Sequence, residues 1–224
     1  MFTKLNVGDN INQNILNNTI IIFMSDNGGL SAVARQGEKH KHNYPLKSGK
    51  GSIYEGGIRV PMIVYSPFHN DSNKEVHHPV IIDDFFPSIL ELTNSISKSV
   101  IQKIDGRSFV PLLNNEKHLL KPLFWHYPNW WGPSGPGIGS YSAVRNGDWK
   151  LIYFHHNQTI ELYNLKDDIF ENNNLVLKEQ KKRIELSNML TNYLISVDAQ
   201  MPFNKLKNSV VPWPNEISLN NEEI

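Results

Sequence analysis

Four side chains are the candidates for chemistry in this sequence. Asp26 and Asn27 stand side by side in Ser25-Asp26-Asn27-Gly28-Gly29, directly after the unbroken apolar run Ile20–Met24. A carboxylate and an amide offer hard oxygen ligands, the kind that Ca²⁺ or Mg²⁺ takes. Asp-Asn-Gly is also ordinary turn chemistry, and on this segment alone the two readings weigh equally. Lys50 lies between Gly49 and Gly51 in the run that continues through Glu55, Gly56 and Gly57 to Arg59. Its glycine neighbours leave the ammonium little cover, so it can meet an anion. A nucleotide-binding P-loop is excluded: it needs Ser or Thr straight after the lysine and Gly five residues before Gly49. Gly51 and Tyr44 hold those places. His126 stands at the entrance to a stretch rich in Gly, Pro and Trp, residues 128–140, and is the candidate substrate contact in the second half of the chain. Indole faces in such loops stack on the C–H surfaces of sugars; the competing reading is a packed surface loop.

These residues need elements to hold them. Ile20–Met24, rich in β-branched residues, is predicted to be a strand buried on both faces. In open α/β sheets ligands gather outside the carboxyl ends of such strands, where Asp26 and Asn27 fall. The basic segment between Asn27 and Lys50 reads as a loop, with His40, Lys41, His42 and Lys47 as solvated or supporting residues. Ile58–Tyr65 is predicted to be a second buried strand, with Pro61 marking an edge or an irregular start. Arg59 is expected to pair with Glu55 or to bind an anion. Residues 80–94 read as a short strand and then a helix capped by Asp83 or Asp84, with Phe85, Phe86, Ile89, Leu90 and Leu92 mainly buried. Asn146-Gly147 is a strong hairpin signal, with Trp149, Leu151 and Tyr153 on one face of a meander. Lys178–Val197 is predicted to be a helix whose Leu186, Leu190, Tyr193, Leu194 and Val197 pack on that meander. The tail from Pro202 reads as extended.

The 224 residues carry 22 basic and 22 acidic side chains, so no global field favours nucleic acid or a membrane surface. No apolar run approaches the roughly 20 residues of a transmembrane helix. There is no cysteine, which removes disulfides, thiolate metal sites and cysteine nucleophiles together.

The segments "SDNGG" and "PLKSGKGSIYEGGIRVPMIVYSP", followed by "DGRSFVPLL", "PLFWHYPN" and "SAVRNGDWKLIYF", resemble the second half of the sulfatases of the alkaline-phosphatase superfamily, in the same order. The resemblance covers the chain from about Asn17 to Pro214. It implies an α/β fold: residues 1–141 as the end of a large, mostly parallel sheet flanked by helices, and 142–224 as a small subdomain with an antiparallel sheet and one helix. It implies that Asp26 and Asn27 ligate Ca²⁺ and that Lys50 contacts the sulfate of a sulfated carbohydrate or aryl sulfate. The family's nucleophile is a formylglycine made from Cys or Ser in Cys/Ser-x-Pro-x-Arg. Neither Ser66-Pro67 nor the Ser134–Pro136 stretch completes that motif. The aspartate pair that shares the Ca²⁺ in the family also has no counterpart before Asp26. The chain is therefore expected to be the C-terminal part of a periplasmic or secreted sulfatase whose missing N-terminal half is its partner. Two other expectations compete: a non-catalytic, saccharide-binding remnant, and a phosphatase or phosphodiesterase of the same superfamily.

Overall fold

The computed structural model describes residues 13–30, 42–69, 74–95, 102–130 and 135–218. His40, Lys41 and Trp131 lie outside them. The elements run α1 (Gln13–Leu16), β1 (Ile21–Met24), α2 (Glu55–Ile58), β2 (Met62–Tyr65), α3 (Phe85–Leu92), α4 (Val110–Leu113), β3 (Leu123–Tyr127), β4 (Tyr141–Asn146), β5 (Trp149–Phe154), β6 (Thr159–Asn164), α5 (Gln180–Ser196), β7 (Phe203–Asn204) and β8 (Ser209–Val210). They fall into two compact units, one of residues 1–24 and 61–120, the other of residues 25–60 and 121–224. This is a different cut from a division at Tyr141, because β3 precedes Tyr141 and pairs with β4.

In the first unit β1 and β2 pair antiparallel, Ile21 opposite Tyr65 and Met24 opposite Met62. No parallel pair occurs among the described residues. The strands are not buried on both faces: Phe23 is 48% and Tyr65 41% exposed. β2 starts four residues later than predicted. Ile58 closes the short α2 instead, and Pro61, with no N–H to give to a ladder, stands just before the strand. The predicted strand before α3 is a 3-10 turn, Ile82–Asp84. The Asp84 carboxylate is buried and accepts the backbone N–H of Ile81 at 3.0 Å and of Arg107 at 2.8 Å. Asp84 is thus a structural cap of that turn. Ser88, Leu92, Phe109 and Val110 are buried around α3, whereas Phe86 and Ile89, expected inside, are exposed.

The second unit is built on a four-stranded antiparallel meander in the order β3-β4-β5-β6. Trp149 pairs with Asn146 across a two-residue turn in which Gly147 has φ +61°. That left-handed conformation suits glycine, as the hairpin signal requires. Alternation along the strands gives the sheet two different faces. On one, Val144, Leu151, Tyr153, Ile160 and Leu162 meet Leu186, Leu190 and Leu194 of α5. The three leucines repeat every four residues and are fully buried; each burial is worth about 1.5–3 kcal/mol. Tyr193 stacks on Phe124, with ring centroids 3.8 Å apart. Val197 ends α5 and is exposed, outside the predicted face. The tail is more ordered than extended. It forms the β7-β8 hairpin, buries Val211, and ends in a 3-10 turn whose Asn215 N–H reaches Thr191 Oγ1 on α5 at 3.2 Å. The other face of the sheet buries Ala143, Ile152, Phe154 and Tyr163 against Ile53 and Tyr54, residues of the glycine-rich segment that contains Lys50.

Candidate functional site

The two glycine-rich segments meet through their backbones. Gly28 N–H donates to Gly57 O at 3.0 Å, and Lys50 N–H donates to Gly29 O at 2.9 Å. A Cβ on Gly28 would lie 1.7 Å from Gly56 O, so only glycine permits this approach. Asn43 holds the same crossing. Its Oδ1 accepts from Gly29 N at 2.8 Å, and its Nδ2 donates to Gly29 O and Ser48 O, each at 2.9 Å. Asp26, Asn27 and Lys50 are thereby gathered onto one patch of loop.

Their side chains are left available. Asp26 is exposed, and among the described residues its carboxylate has no hydrogen bond or ion pair. Asn27 Nδ2 donates to Gly28 O at 3.1 Å, leaving Oδ1 as a free acceptor. Lys50 is half-buried, and no partner for its ammonium occurs among the described residues. Asp26 and Asn27 have the hard-oxygen chemistry that Ca²⁺ takes, but the ion needs about six to eight oxygens. Among the described residues no group of three His, Cys, Asp or Glu could hold a metal. The two donors fit as part of a shell.

Beneath this patch lies a buried ionic cluster that inspection of the sequence does not find. Lys150, the second residue of β5, is fully buried. Its ammonium donates to Ile53 O at 2.8 Å and to Glu55 Oε1 and Glu171 Oε1, each at 2.9 Å. Glu171 Oε2 accepts the backbone N–H of Glu55 at 2.7 Å. Arg59 Nε meets Glu55 Oε2 at 2.7 Å, the expected pair, and Arg145 lies 3.7 Å from the same oxygen. Burial raises the Glu55 carboxyl, but the Lys150 ammonium and then the Arg59 guanidinium more than cancel that effect and hold it at about 2. Burial pushes Glu171 up despite Lys150. Lys47, read as a supporting residue, donates to Glu171 O at 2.8 Å and lies over the Tyr54 ring at 4.0 Å. The segment 47–58 is thus fastened to the sheet by charges on both sides. The signal for Lys150 in the sequence is a lysine inside an otherwise apolar strand, one residue from its start; for Glu171, in a polar turn, there is none.

His126 sits one residue before the end of β3, beside the stretch that starts at Pro128, with both ring nitrogens hydrogen-bonded. Nε2 donates to Gln200 O at 3.1 Å, so Nδ1 accepts from Ser142 Oγ at 2.8 Å. The Ser142 oxygen accepts from His155 Nε2 at 2.8 Å, and Ser140 Oγ donates to His155 Nδ1 at 3.0 Å. Burial lowers both imidazoles; for His155, helped by His126, the value falls to about 3. The chain Ser140-His155-Ser142-His126 is neutral and satisfied at every link.

The family described as N-sulphoglucosamine sulphohydrolase, C-terminal, matches residues 48–200. A sulfatase of Formosa agariphila is 30% identical over 218 residues, covering 90% of this chain and 37% of that protein. Steryl-sulfatase of Rattus norvegicus is 32% identical over 152 residues, covering 64% of this chain and 25% of that protein. Among solved structures, Ps i-CgsB in complex with k-i-k-neocarrahexaose superposes with a TM-score of 0.65 at 29% identity, over 84% of this chain and 38% of that one. BT4656 in complex with its substrate D-glucosamine-2-N,6-O-disulfate superposes with a TM-score of 0.63 at 26% identity, over 83% and 36%. The chain spans less than two fifths of each of these proteins.

Proposed function

The chain belongs to the N-sulphoglucosamine sulphohydrolase C-terminal family, a sulfatase family, and from that premise we propose that it supplies part of the active site of a sulfuric ester hydrolase. The substrate in this reading is a sulfated carbohydrate. Lys50 contacts the sulfate, and Asp26 and Asn27 ligate Ca²⁺. One observation carries the reading: the unpartnered Lys50 ammonium and the unpartnered Asp26 carboxylate are brought to one loop patch by the Lys50–Gly29 and Gly28–Gly57 hydrogen bonds.

Sulfuryl transfer gathers negative charge on the oxygens around sulfur. A fixed ammonium offsets that charge and needs no reorganisation when the charge appears. Lys50 is fixed at its backbone by Gly29, and Ser52, two residues on, is held by Pro136 O at 2.9 Å. Asp26 and Asn27 would hold Ca²⁺, which when bound supplies electrostatic stabilisation of the same oxygens. The formylglycine nucleophile has no precursor motif in this sequence, so this chain by itself is expected to show no hydrolysis.

The test is made in the complete enzyme. Lys50→Ala is expected to lower kcat by about 10²–10³-fold, roughly 2.7–4 kcal/mol, without changing the unfolding midpoint. Unchanged turnover would sink the role of Lys50. A panel of sulfate and phosphate esters decides the ester class, and faster turnover of phosphate esters would replace the sulfatase reading with the phosphatase one.

A further inference from the structure

A second concave site lies on the same sheet face, beside the fastened segment. It has a volume of about 320 Å³ and is walled by Tyr54, Trp130, Phe154, His156, Asn157 and Glu161. Its floor lacks side chains where Gly135 and Gly137 pass; a Cβ on Gly137 would lie 2.5 Å from the Tyr54 ring. Trp130 is 58% exposed and meets His156 edge to face at 5.9 Å. Gly139 runs under the indole, where a Cβ would lie 3.3 Å from the ring. One face of a large, positioned aromatic ring is therefore offered to solvent.

The polar groups on the walls are placed and partly unused. Glu161 Oε2 accepts from Tyr54 Oη at 2.7 Å and Tyr163 Oη at 2.9 Å, so the carboxylate is held rigidly. Among the described residues Glu161 Oε1 has no hydrogen bond. Asn157 Oδ1 accepts from Thr159 Oγ1 at 2.9 Å, which leaves its Nδ2 as a donor. A free acceptor, a free donor and an exposed indole face fit a pyranose. Its hydroxyls donate and accept, and its axial C–H groups, slightly positive, lie on the electron-rich ring. The volume is near the lower end of the roughly 300–1,000 Å³ of ligand sites, which suits a single sugar unit.

Charge narrows the ligand further. Among the described residues the lining contains no lysine or arginine, and its fixed charge is the Glu161 carboxylate. The Lys47 ammonium lies over the Tyr54 ring but donates to Glu171 O and is not part of the lining. A sulfate placed against Glu161 would meet a like charge with no cation to offset it. We infer that this cleft is a subsite for an unsulfated pyranose unit of a polysaccharide, separate from the Lys50 patch. The inference rests on the proposed sulfatase reading only for the ligand being a polysaccharide.

The test uses the 224-residue chain and neutral tetrasaccharides, namely neoagarotetraose, chitotetraose and cellotetraose, each with a fully 6-O-sulfated counterpart. Binding is measured by titration calorimetry, and in the unsubstituted chain it is located by the indole N–H resonance of Trp130. At least one neutral probe is expected to shift that resonance, and its sulfated counterpart to bind at least about tenfold more weakly. Trp130→Ala is expected to weaken the neutral probe about tenfold or more with an unchanged melting temperature. Glu161→Gln keeps an acceptor for both tyrosines, and is expected to admit the sulfated probe. No response to any neutral probe, equal binding of sulfated and neutral probes by the unsubstituted chain, or full binding by Trp130→Ala would overturn the subsite. The neutral probes carry no sulfate ester. Their binding without hydrolysis of sulfate esters by the complete enzyme would sink the sulfatase reading alone, and hydrolysis without their binding would sink the subsite alone.

Discussion

The two faces of the β3–β6 meander bury their side chains by different means. Toward α5 the sheet packs Val144, Leu151, Tyr153, Ile160 and Leu162 on three leucines, a core of apolar contacts. Toward the segment 47–58 it buries Lys150, Glu55 and Glu171 along with aromatic rings. Apolar burial is favourable and non-directional, so the first face can tolerate small shifts. Buried charges cost several kcal/mol each in lost hydration, recovered only by close and well-directed partners. The second face therefore adds little net stability, but it permits few positions for the segment it holds. That segment bears Lys50. The lesson is a division of labour, in which the helix side keeps the unit folded and the charged side fixes where the loop patch lies.

This comparison can be broken by substitution. Lys150→Ala would leave Glu55 and Glu171 buried without their shared cation, and is expected to cost about 3–5 kcal/mol in urea unfolding. Replacing Glu55, Lys150 and Glu171 together by Leu, Met and Leu is expected to restore stability to within about 1 kcal/mol or exceed it. In the complete enzyme the same triple variant is expected to lose turnover, because the direction of the contacts is gone. A triple variant that keeps full turnover would show that the ionic cluster positions nothing. On the opposite face, Leu190→Ala is expected to cost about 2–5 kcal/mol through its cavity and to leave kcat in the complete enzyme unchanged where the fold persists.

Acid acts on both faces, since the buried His155 follows Leu151 and Tyr153 on the α5 side of the sheet while Glu55 and Glu171 lie on the other. The His155 imidazole is held at about 3, below its unfolded value of 6.5. Its contribution to stability is complete above pH 6.5 and is lost as pH falls toward 3, by at most about 1.4 kcal/mol per pH unit. Glu55, held at about 2 against 4.5 unfolded, contributes in full above pH 4.5 and is lost as pH falls toward 2. Glu171, raised by burial, works in the opposite sense, and its contribution falls as pH rises. Unfolding free energy measured between pH 7 and 4.5 is expected to decline first through the histidine chain. His155→Gln should flatten that limb, and an unchanged slope would assign it to other groups. The smallest effect is expected from Arg59→Ala. Its side chain is 43% exposed, solvent screens the pair, and the loss should stay below about 1 kcal/mol in thermal unfolding.

Much of this arrangement is legible in the residues themselves. The Asn146-Gly147 hairpin, the alternation of Trp149, Leu151 and Tyr153, and the leucines of α5 follow from local chemistry and period, because each element must hide one face. The Arg59–Glu55 pair is four residues apart and equally local. The misplaced elements share a cause. The predicted starts at Ile58 and Val80 rest on apolar composition, but an apolar run does not say where a backbone finds a partner. Pro61 delays one ladder, and Asp84 folds the other segment into a turn by taking two N–H groups. Burial of Phe86 and Ile89 is an expectation from residue type alone, and the described residues leave them 55% and 45% exposed.

The residues alone are enough for the family, the glycine-framed positions of Asp26, Asn27 and Lys50, and the hairpin-and-helix plan of the second unit. These depend on neighbours in the chain, on residue type and on period. It takes the fold to show that Gly28 and Gly29 touch Gly57 and Lys50, that Lys150 serves Glu55, 95 residues away, and Glu171, 21 residues away, and that His126 bonds to Ser142 and Gln200. Each of those is a match between groups far apart in sequence. A hydrogen bond or buried ion pair depends on direction and distance to within a few tenths of an ångström, and no local pattern of residues encodes that.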